Sequence, residues 1–531
     1  MLIGWVPQCI YRERIAPPNA SRAIQPLLHS SSMALSITIL LPGLVAAAVT
    51  QFAWTFLTNV FRHPLAQFPG PLLASTGWYK TWQEVFRGRN WIDVLRELHA
   101  QYGEVVRVGP NELQFSNPKA YLDIYNASNR WSKEATLYQS FGEDASSFGF
   151  LHYREAKQRR DVLAPLFSRR AILDLQGVVR DIMDRLCVHL AKENAEGKSS
   201  DMLFALRCFT LDTIVTYCFA QDIHATEAKD FQAPVVVAMD ASLPTSVVFK
   251  HFSAVRKLVF SFPGWLTKMT ALAGLVDLQQ LLGAQVKDVA SNPQLLNQTS
   301  HPTIYHRLLD PEANKAAGVP SKQSLYEETQ ALLFGGADSV GNTVTIGLYH
   351  VLQSPRMISR LKAELRSVWP DLQSQPRVEV FEKLPFLTAV IKESLRLAPG
   401  VTAPLPRVVP SSGATIGGRH IPPGAIVGMA QVMVHSNPDI FVSPEKFDPE
   451  RWLGGEAASL ERWLVPFSRG PRACLGQTLA MCELQVAFAG LFRRFDIQLD
   501  GTSTDSLAWR ECFLPHFNAN HMRAFCKPIA S

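Results

Sequence analysis

One ten-residue stretch restricts what this chain can become more than any other. Phe467-Ser-Arg-Gly-Pro-Arg-Ala-Cys-Leu-Gly476 holds a single cysteine, Cys474, just ahead of a run from Leu479 to Phe495 that is apolar at helical spacing. Glycine supplies positive φ and proline fixes φ, so Gly470-Pro471 predicts a tight turn. Cys474 is then expected at a helix N-terminus, where backbone N–H groups and the dipole stabilise a negative sulfur and lower its pKa. Gly476 has no Cβ and lets the backbone approach a large flat ligand. Arg472 is placed to pair with an anionic group of that ligand, and Phe467 to shield the sulfur from water. A lone buried cysteine is ordinarily a small hydrophobe; the company of Cys474 points instead to a thiolate presented to a metal.

Two further groups of residues stand upstream. Leu333-Phe-Gly335-Gly336-Ala337-Asp338-Ser339 lies inside a helical pattern running from Glu327 to Leu352. Each glycine in a helix interior costs about 1 kcal/mol against alanine, which a close helix crossing or a ligand groove would explain. Asp338 and Ser339 set an acid beside an alcohol, with Thr343 one turn on. Glu393-Ser-Leu-Arg396 falls on a helix expected from Phe386 to Leu397, and its i, i+3 spacing puts carboxylate and guanidinium on one face.

The stretch around Cys474 resembles the haem-binding loop of the cytochrome P450 family, Phe-x-x-Gly-x-Arg-x-Cys-x-Gly, at every specified position. The resemblance runs from about Arg62 to the C-terminus. It implies the cytochrome P450 fold, mainly α with a smaller β-rich part. It also implies haem b with Cys474 as the axial ligand of the iron, since thiolate ligation favours O–O cleavage. Gly336 would border a groove for dioxygen, with Asp338 and Ser339 delivering protons. Ser339 departs from the family's threonine: it keeps the hydroxyl but lacks the methyl that restricts the rotamer, and Thr343 is a possible substitute. Glu393 and Arg396 would join Arg451 of Pro449-Glu-Arg-Trp452 in a buried network that locks the cysteine loop. Arg407, Arg160 and His435 match positions that hold haem propionates, although Ala156 stands where the family often has Trp or His. Val401-Thr-Ala-Pro-Leu405 would line an apolar pocket above the haem.

His63-Pro-Leu-Ala-Gln-Phe-Pro-Gly-Pro71 and His301-Pro-Thr-Ile-Tyr-His306 look like the fungal branch of trichodiene oxygenases and pisatin demethylases. That likeness implies a monooxygenase of secondary metabolism, inserting one oxygen from O2 into a terpenoid, polyketide or alkaloid intermediate. Electrons would come from NADPH through an acidic flavoprotein, the cytochrome P450 reductase, docking near Arg469. Two rivals remain: a same-fold isomerase or dehydratase that needs no reductase, and a non-enzymatic haem-binding protein. Retention of Asp338 and of a hydroxyl at Ser339 argues against both.

Composition agrees. The 531 residues carry a net charge of +6, too mild for a nucleic-acid-binding surface but suited to an acidic protein partner. The eight cysteines include no C-x-x-C pair, so neither a zinc site nor a disulfide framework is indicated. Residues 34–57 form an apolar, uncharged stretch long enough to span a bilayer, read as an uncleaved anchor with Pro42 a tolerated kink. The expected organisation is an N-terminal extension (1–33, upstream of or including Met33), the transmembrane anchor (34–57), a Pro-rich hinge (58–74) and the catalytic domain (75–531). A single-pass endoplasmic reticulum protein with a cytosolic haem domain follows from the resemblance. Phe252–Leu275 is a second apolar stretch, suited either to a membrane surface or to an ordinary helix pair.

Overall fold

The computed structural model describes residues 30–260 and 273–529, apart from 375, 399 and 518–520, with the backbone alone for 30–42 and 260. The expected extension up to residue 29 and the middle of the 252–275 stretch lie outside the described residues. The chain divides into two units, 1–58 and 59–531. In the first, helix α1 (Ser30–Phe61) runs without interruption past Pro42 and exceeds the expected anchor at both ends. Its Gly43–Phe61 portion is long and apolar enough to cross a membrane.

The second unit is mostly helical. In chain order it contains β1 (Val105–Gly109), β2 (Glu112–Phe115), β3 (Ser132–Lys133), α2 (Tyr153–Leu163), α3 (Arg169–Ala195), α4 (Met202–Phe219) and α5 (Pro234–His251). There follow α6 (Lys322–Ala337), α7 (Ser339–Leu352), α8 (Pro385–Leu397), β4 (Arg407–Val408), β5 (Ile426–Gly428), α9 (Gln477–Arg494), β6 (Trp509–Cys512) and β7 (Leu514–Phe517). The expected hairpin around Gly109-Pro110-Asn111 forms as β1 and β2, and the five strands order as β1-β2-β5-β4-β3. Part of the expected hinge belongs to this body rather than to a free linker. Leu65 and Phe68 are buried, and the Arg107 N–H donates to the Pro69 carbonyl at 2.8 Å. Apolar side chains flanking the prolines hold the stretch down where a stiff spacer was expected.

The largest apolar core gathers α3, α4, α6, α7, α8 and α9. Helix α4 is buried on nearly every face, so it reads as a span by hydropathy but lies inside protein. Its start is fixed by Asp201, whose carboxylate accepts the Phe204 N–H at 3.0 Å. Seven cysteines are free among the described residues, and all but Cys474 are buried away from solvent-accessible space.

Candidate functional site

Backbone geometry builds the cysteine loop. Ser468 and Gly470 both adopt left-handed φ, 58° and 73°. A Cβ on Gly470 would stand 2.7 Å from the carbonyl oxygens of Tyr125 and Asn126, so the turn admits only glycine. The Ala473 N–H then donates to Gly470 O at 3.0 Å and the Cys474 N–H to Phe467 O at 2.8 Å. Helix α9 starts three residues later, at Gln477, with Gly476 before it. Phe467, Cys474 and Gly476 all line a cavity of about 950 Å³. The Cys474 side chain opens onto that cavity although it lies deep in the fold. Burial pushes its thiol above the ordinary value, with the Gly476 N–H and Arg160 pulling the other way. The expected lowering by the helix terminus is therefore outweighed by desolvation, and a bound metal cation is what such a thiol needs to ionise.

Six cations line the same cavity, Arg256 and Lys257 among them, and four bear on the cysteine: Lys133, Arg160, Arg407 and Arg472. Arg160 donates to Ala473 O at 2.7 Å, and Arg407 donates to the Tyr138 hydroxyl at 2.8 Å. Arg472 donates to Leu151 O at 3.1 Å through Nη2, while its Nε and Nη1 are buried without a partner. Lys133 on β3, which the sequence did not single out, donates to the Phe148 carbonyl and lies 4.0 Å from the Tyr138 ring centroid. Burial and the Arg407 charge hold Arg472 down at about 10. Burial, Arg407, Arg472 and Arg160 push Lys133 well below its usual value. No described carboxylate forms an ion pair with any of the four. Such a quartet is unfavourable alone and suits a ligand with two carboxylates on one edge. Where a Gly476 Cβ would sit nothing lies within 4 Å, which leaves room for a flat group beside the sulfur. These residues fit haem.

His435 is not among them. Its Nε2 accepts the Val465 N–H at 2.9 Å, and burial with the Arg396 charge drives it down to about 3, so the ring is neutral. It bridges the cysteine loop to a second cluster instead. Glu393, fully buried, accepts from Arg396 Nη2 at 2.7 Å and Nε at 3.0 Å and from Arg451 Nε at 3.1 Å. Trp452 Nε1 at 2.8 Å and the Asp448 N–H at 2.9 Å complete its shell. Arg396 also donates to the carbonyls of His435, Pro444 and Lys446.

Across the cavity, the expected single helix is two. Asp338 keeps right-handed but distorted backbone (φ −112°, ψ −39°) at the interruption between α6 and α7, and the Thr210 hydroxyl donates to the Ala337 carbonyl there. The two glycines divide between the two readings. A Cβ on Gly336 would come within 2.6 Å of Ile214 on α4, a close crossing, whereas Gly335 has nothing within 4 Å. Ser339 and Thr343 line the cavity and Asp338 does not. Asp338 lies 3.6 Å from Arg207 Nε, its Oδ2 buried without a partner, and burial raises its pKa against the pull of Arg207. The Thr343 hydroxyl is committed to the Ser339 carbonyl at 2.9 Å.

The cytochrome P450 family model matches residues 65–514. The chain is similar to the cytochrome P450 monooxygenase flvC of Aspergillus flavus, 33% identical over 94% of this chain and 98% of that one. It is also similar to the cytochrome P450 monooxygenase macH of Penicillium terrestre, 34% identical over 87% and 92%. The tryptophan 6-hydroxylase fscE of Fusarium equiseti is 32% identical over 84% and 88%. The chain belongs to the cytochrome P450 family. It is an oxidoreductase of the fungal P450 monooxygenases. The crystal structure of the cytochrome P450DA heme domain has the same fold, with TM-score 0.68 at 16% identity over 87% of this chain and 98% of that one.

Two acids of this P450 escaped the sequence reading. Glu483 on α9, directly after the apolar turn Leu479-Ala-Met-Cys482, is buried and lines the cavity; desolvation pushes its carboxyl well above the usual range. A charge in an otherwise apolar run was the available signal. Glu143 lines the cavity from the loop after β3, and no pattern in its neighbours marks it.

Proposed function

We propose that this P450 holds haem b through Cys474, with Arg472, Arg407, Arg160 and Lys133 receiving the propionates, and hydroxylates or epoxidises a lipophilic secondary metabolite. One observation carries the reading: Cys474 and Arg472, two of whose nitrogens have no partner, line one cavity. When bound, the haem supplies dioxygen activation and oxygen-atom transfer. The chain's own residues position, exclude water and move protons. Phe467 covers the sulfur, and the Gly476 N–H stabilises its negative charge. Ser339 offers its hydroxyl to the cavity while Thr343 is tied to the backbone, so Ser339 is the relay of the two. Asp338 stands on the far side of the helix break, beside Arg207, which reaches Asp240 at 2.6 Å, and burial raises its pKa. Glu483, its pKa also raised by burial, is a second acid on the cavity wall itself. Val401, Leu405 and Val340 make the neighbouring wall apolar.

Electrons come from NADPH through a flavoprotein reductase docking at the exposed Arg462 and Arg469, which flank the cysteine loop. Helix α1 anchors the protein in the endoplasmic reticulum membrane with the catalytic unit in the cytosol, where NADPH is available. The test is to incubate the reductase-coupled, haem-loaded protein with extracts of its own organism and search for products heavier by one oxygen. Haem-loaded protein that consumes no NADPH with any extract, and gives no such product, would overturn the reading.

A further inference from the structure

Glu143, like Glu483, is an acid of the cavity wall to which no described residue donates a hydrogen bond, and of the two only Glu143 is carried on a loop. It is only 6% exposed, it lines the cavity, and no hydrogen bond from a described residue reaches its carboxyl. Its neighbours are fully engaged. Glu328 accepts from Arg159 at 2.9 Å and from the Ser147 N–H and hydroxyl at 2.8 and 2.6 Å. Glu327 accepts from the Ala145 N–H at 2.6 Å and from Gln323 at 2.8 Å. The Glu143 backbone is fixed as well: the Ser146 hydroxyl donates to its carbonyl at 2.8 Å. A Cβ on Gly149 would fall 1.7 Å from that same oxygen. A rigid loop thus presents a carboxyl that the protein leaves unsatisfied, a costly arrangement unless something else binds it. Lys133 is one nearby cation, but it donates to Phe148 O and faces the three arginines of the propionate edge. Arg256 is another: it lines the cavity together with Lys257, its Nη1 lies 3.7 Å from where a Gly142 Cβ would stand, and it donates to the Gln139 carbonyl.

Aromatic rings line the same cavity. Phe141 lies 5.5 Å from Phe148 and 4.7 Å from Phe513 of the β6–β7 hairpin, centroid to centroid. Lys133 Nζ already stands 4.4 Å from the Phe148 centroid, which leaves Phe141 and Phe513 for a second cation. Acid and π-faces together recognise an alkylated ammonium. We propose that this end of the cavity receives a basic amine of the substrate, its ammonium held by Glu143 against Phe141 and Phe513. This rests on the monooxygenase reading above and narrows its substrate class. Burial beside Glu328 and Glu327 pushes the Glu143 carboxyl well above the usual range, and a bound ammonium returns it to the charged form.

The test uses two probes that cannot ligate iron: (6-phenylhexyl)trimethylammonium and its neutral isostere with carbon in place of nitrogen. Each is titrated into haem-loaded wild type and Glu143→Gln, with binding read by equilibrium dialysis and by the shift of the haem absorption band. The wild type should bind the cation about tenfold or more tightly than the isostere, and Glu143→Gln should erase that preference while holding the isostere within about twofold, as expected for one charge-assisted contact. No preference in the wild type, or equal weakening of both probes by Glu143→Gln, overturns the proposal. Should Glu143→Gln fail to take up haem, Glu143→Asp must keep part of the preference, and the wild-type comparison alone still decides. The carbon-monoxide spectrum of the same samples separates the two readings: a thiolate band without cation preference sinks only the amine site, and a missing band sinks the haem-thiolate assignment.

Discussion

The two buried charge clusters on either side of the cysteine loop follow opposite rules. Around Glu393 every oxygen and nearly every guanidinium nitrogen has a protein partner, and a carboxylate sits between the two arginines. Around Arg472 the charges share one sign, and two nitrogens have no partner. The first cluster is finished by folding; the second is finished by a ligand. Burying ions is costly in both places. The Glu393 cluster offsets that cost within the chain, whereas the arginine cluster stores it until an anion arrives. The loop that carries Cys474 is tied to the first through His435 and Val465 and opens onto the second. Rigidity is thus supplied from one side and binding energy from the other.

The largest test acts at the point where the two meet. Cys474→Ser should abolish the red-shifted absorption band of the ferrous carbon-monoxide complex, since only a thiolate ligand produces it, while leaving the Glu393 network in place. A variant that keeps the band with haem bound would show that the sulfur is not the ligand.

Glu393→Ala and Arg472→Ala then separate the clusters. Removing Glu393 leaves Arg396 buried and unpaired, a loss of about 3–5 kcal/mol, so haem-free protein should unfold at a clearly lower temperature and retain little haem. Arg472→Ala should do the reverse. The haem-free protein should be no less stable, because a buried like-charged group has gone. Haem should bind more weakly: about 1.5–3 kcal/mol of charge-assisted hydrogen bonding disappears, a loss of roughly ten- to a hundredfold in affinity. Thermal unfolding with and without haem checks both. If Arg472→Ala destabilises the haem-free protein as much as Glu393→Ala does, the contrast between the clusters is false.

What the sequence made legible follows the same division. Cys474, Arg472 and Glu393 could be read because short-range spacing fixes them: a turn before a helix, and i, i+3 on one face. Lys133 and Glu143 could not, because their meaning comes from residues distant in the chain, Lys133 from Arg407 and Arg472, Glu143 from helix α6. His435 was misread for a related reason. Its type and position suited an anion, but the Val465 N–H occupies its ring nitrogen, and that contact spans thirty residues. Asp338 and Ser339 were expected to deliver protons together. The interruption of the helix at Asp338, where α4 presses Ile214 against Gly336, sends one side chain to the cavity and the other to Arg207. Periodicity describes an unbroken helix and cannot foresee a break imposed by a neighbour.

The smallest effect concerns that break. If Ser339 relays protons to the cavity, Ser339→Ala should leave haem content and the carbon-monoxide band intact while diverting NADPH electrons to peroxide. Ser339→Thr should hold or modestly raise the fraction of NADPH that ends in product. The reason is conformational: a β-branched side chain loses rotamers beside the preceding turn, so the hydroxyl is kept at the cavity for a larger share of the time. Restricting one such torsion amounts to a few tenths of a kcal/mol up to about 1 kcal/mol, so a change of no more than a few-fold is expected. The measurement is the ratio of NADPH consumed to product and to hydrogen peroxide in the reductase-coupled system. Unchanged ratios in both variants would move the relay away from Ser339. Thr343 is a poor heir because its proton goes to the Ser339 carbonyl. Glu483, already on the cavity wall, would then be the group to replace with glutamine.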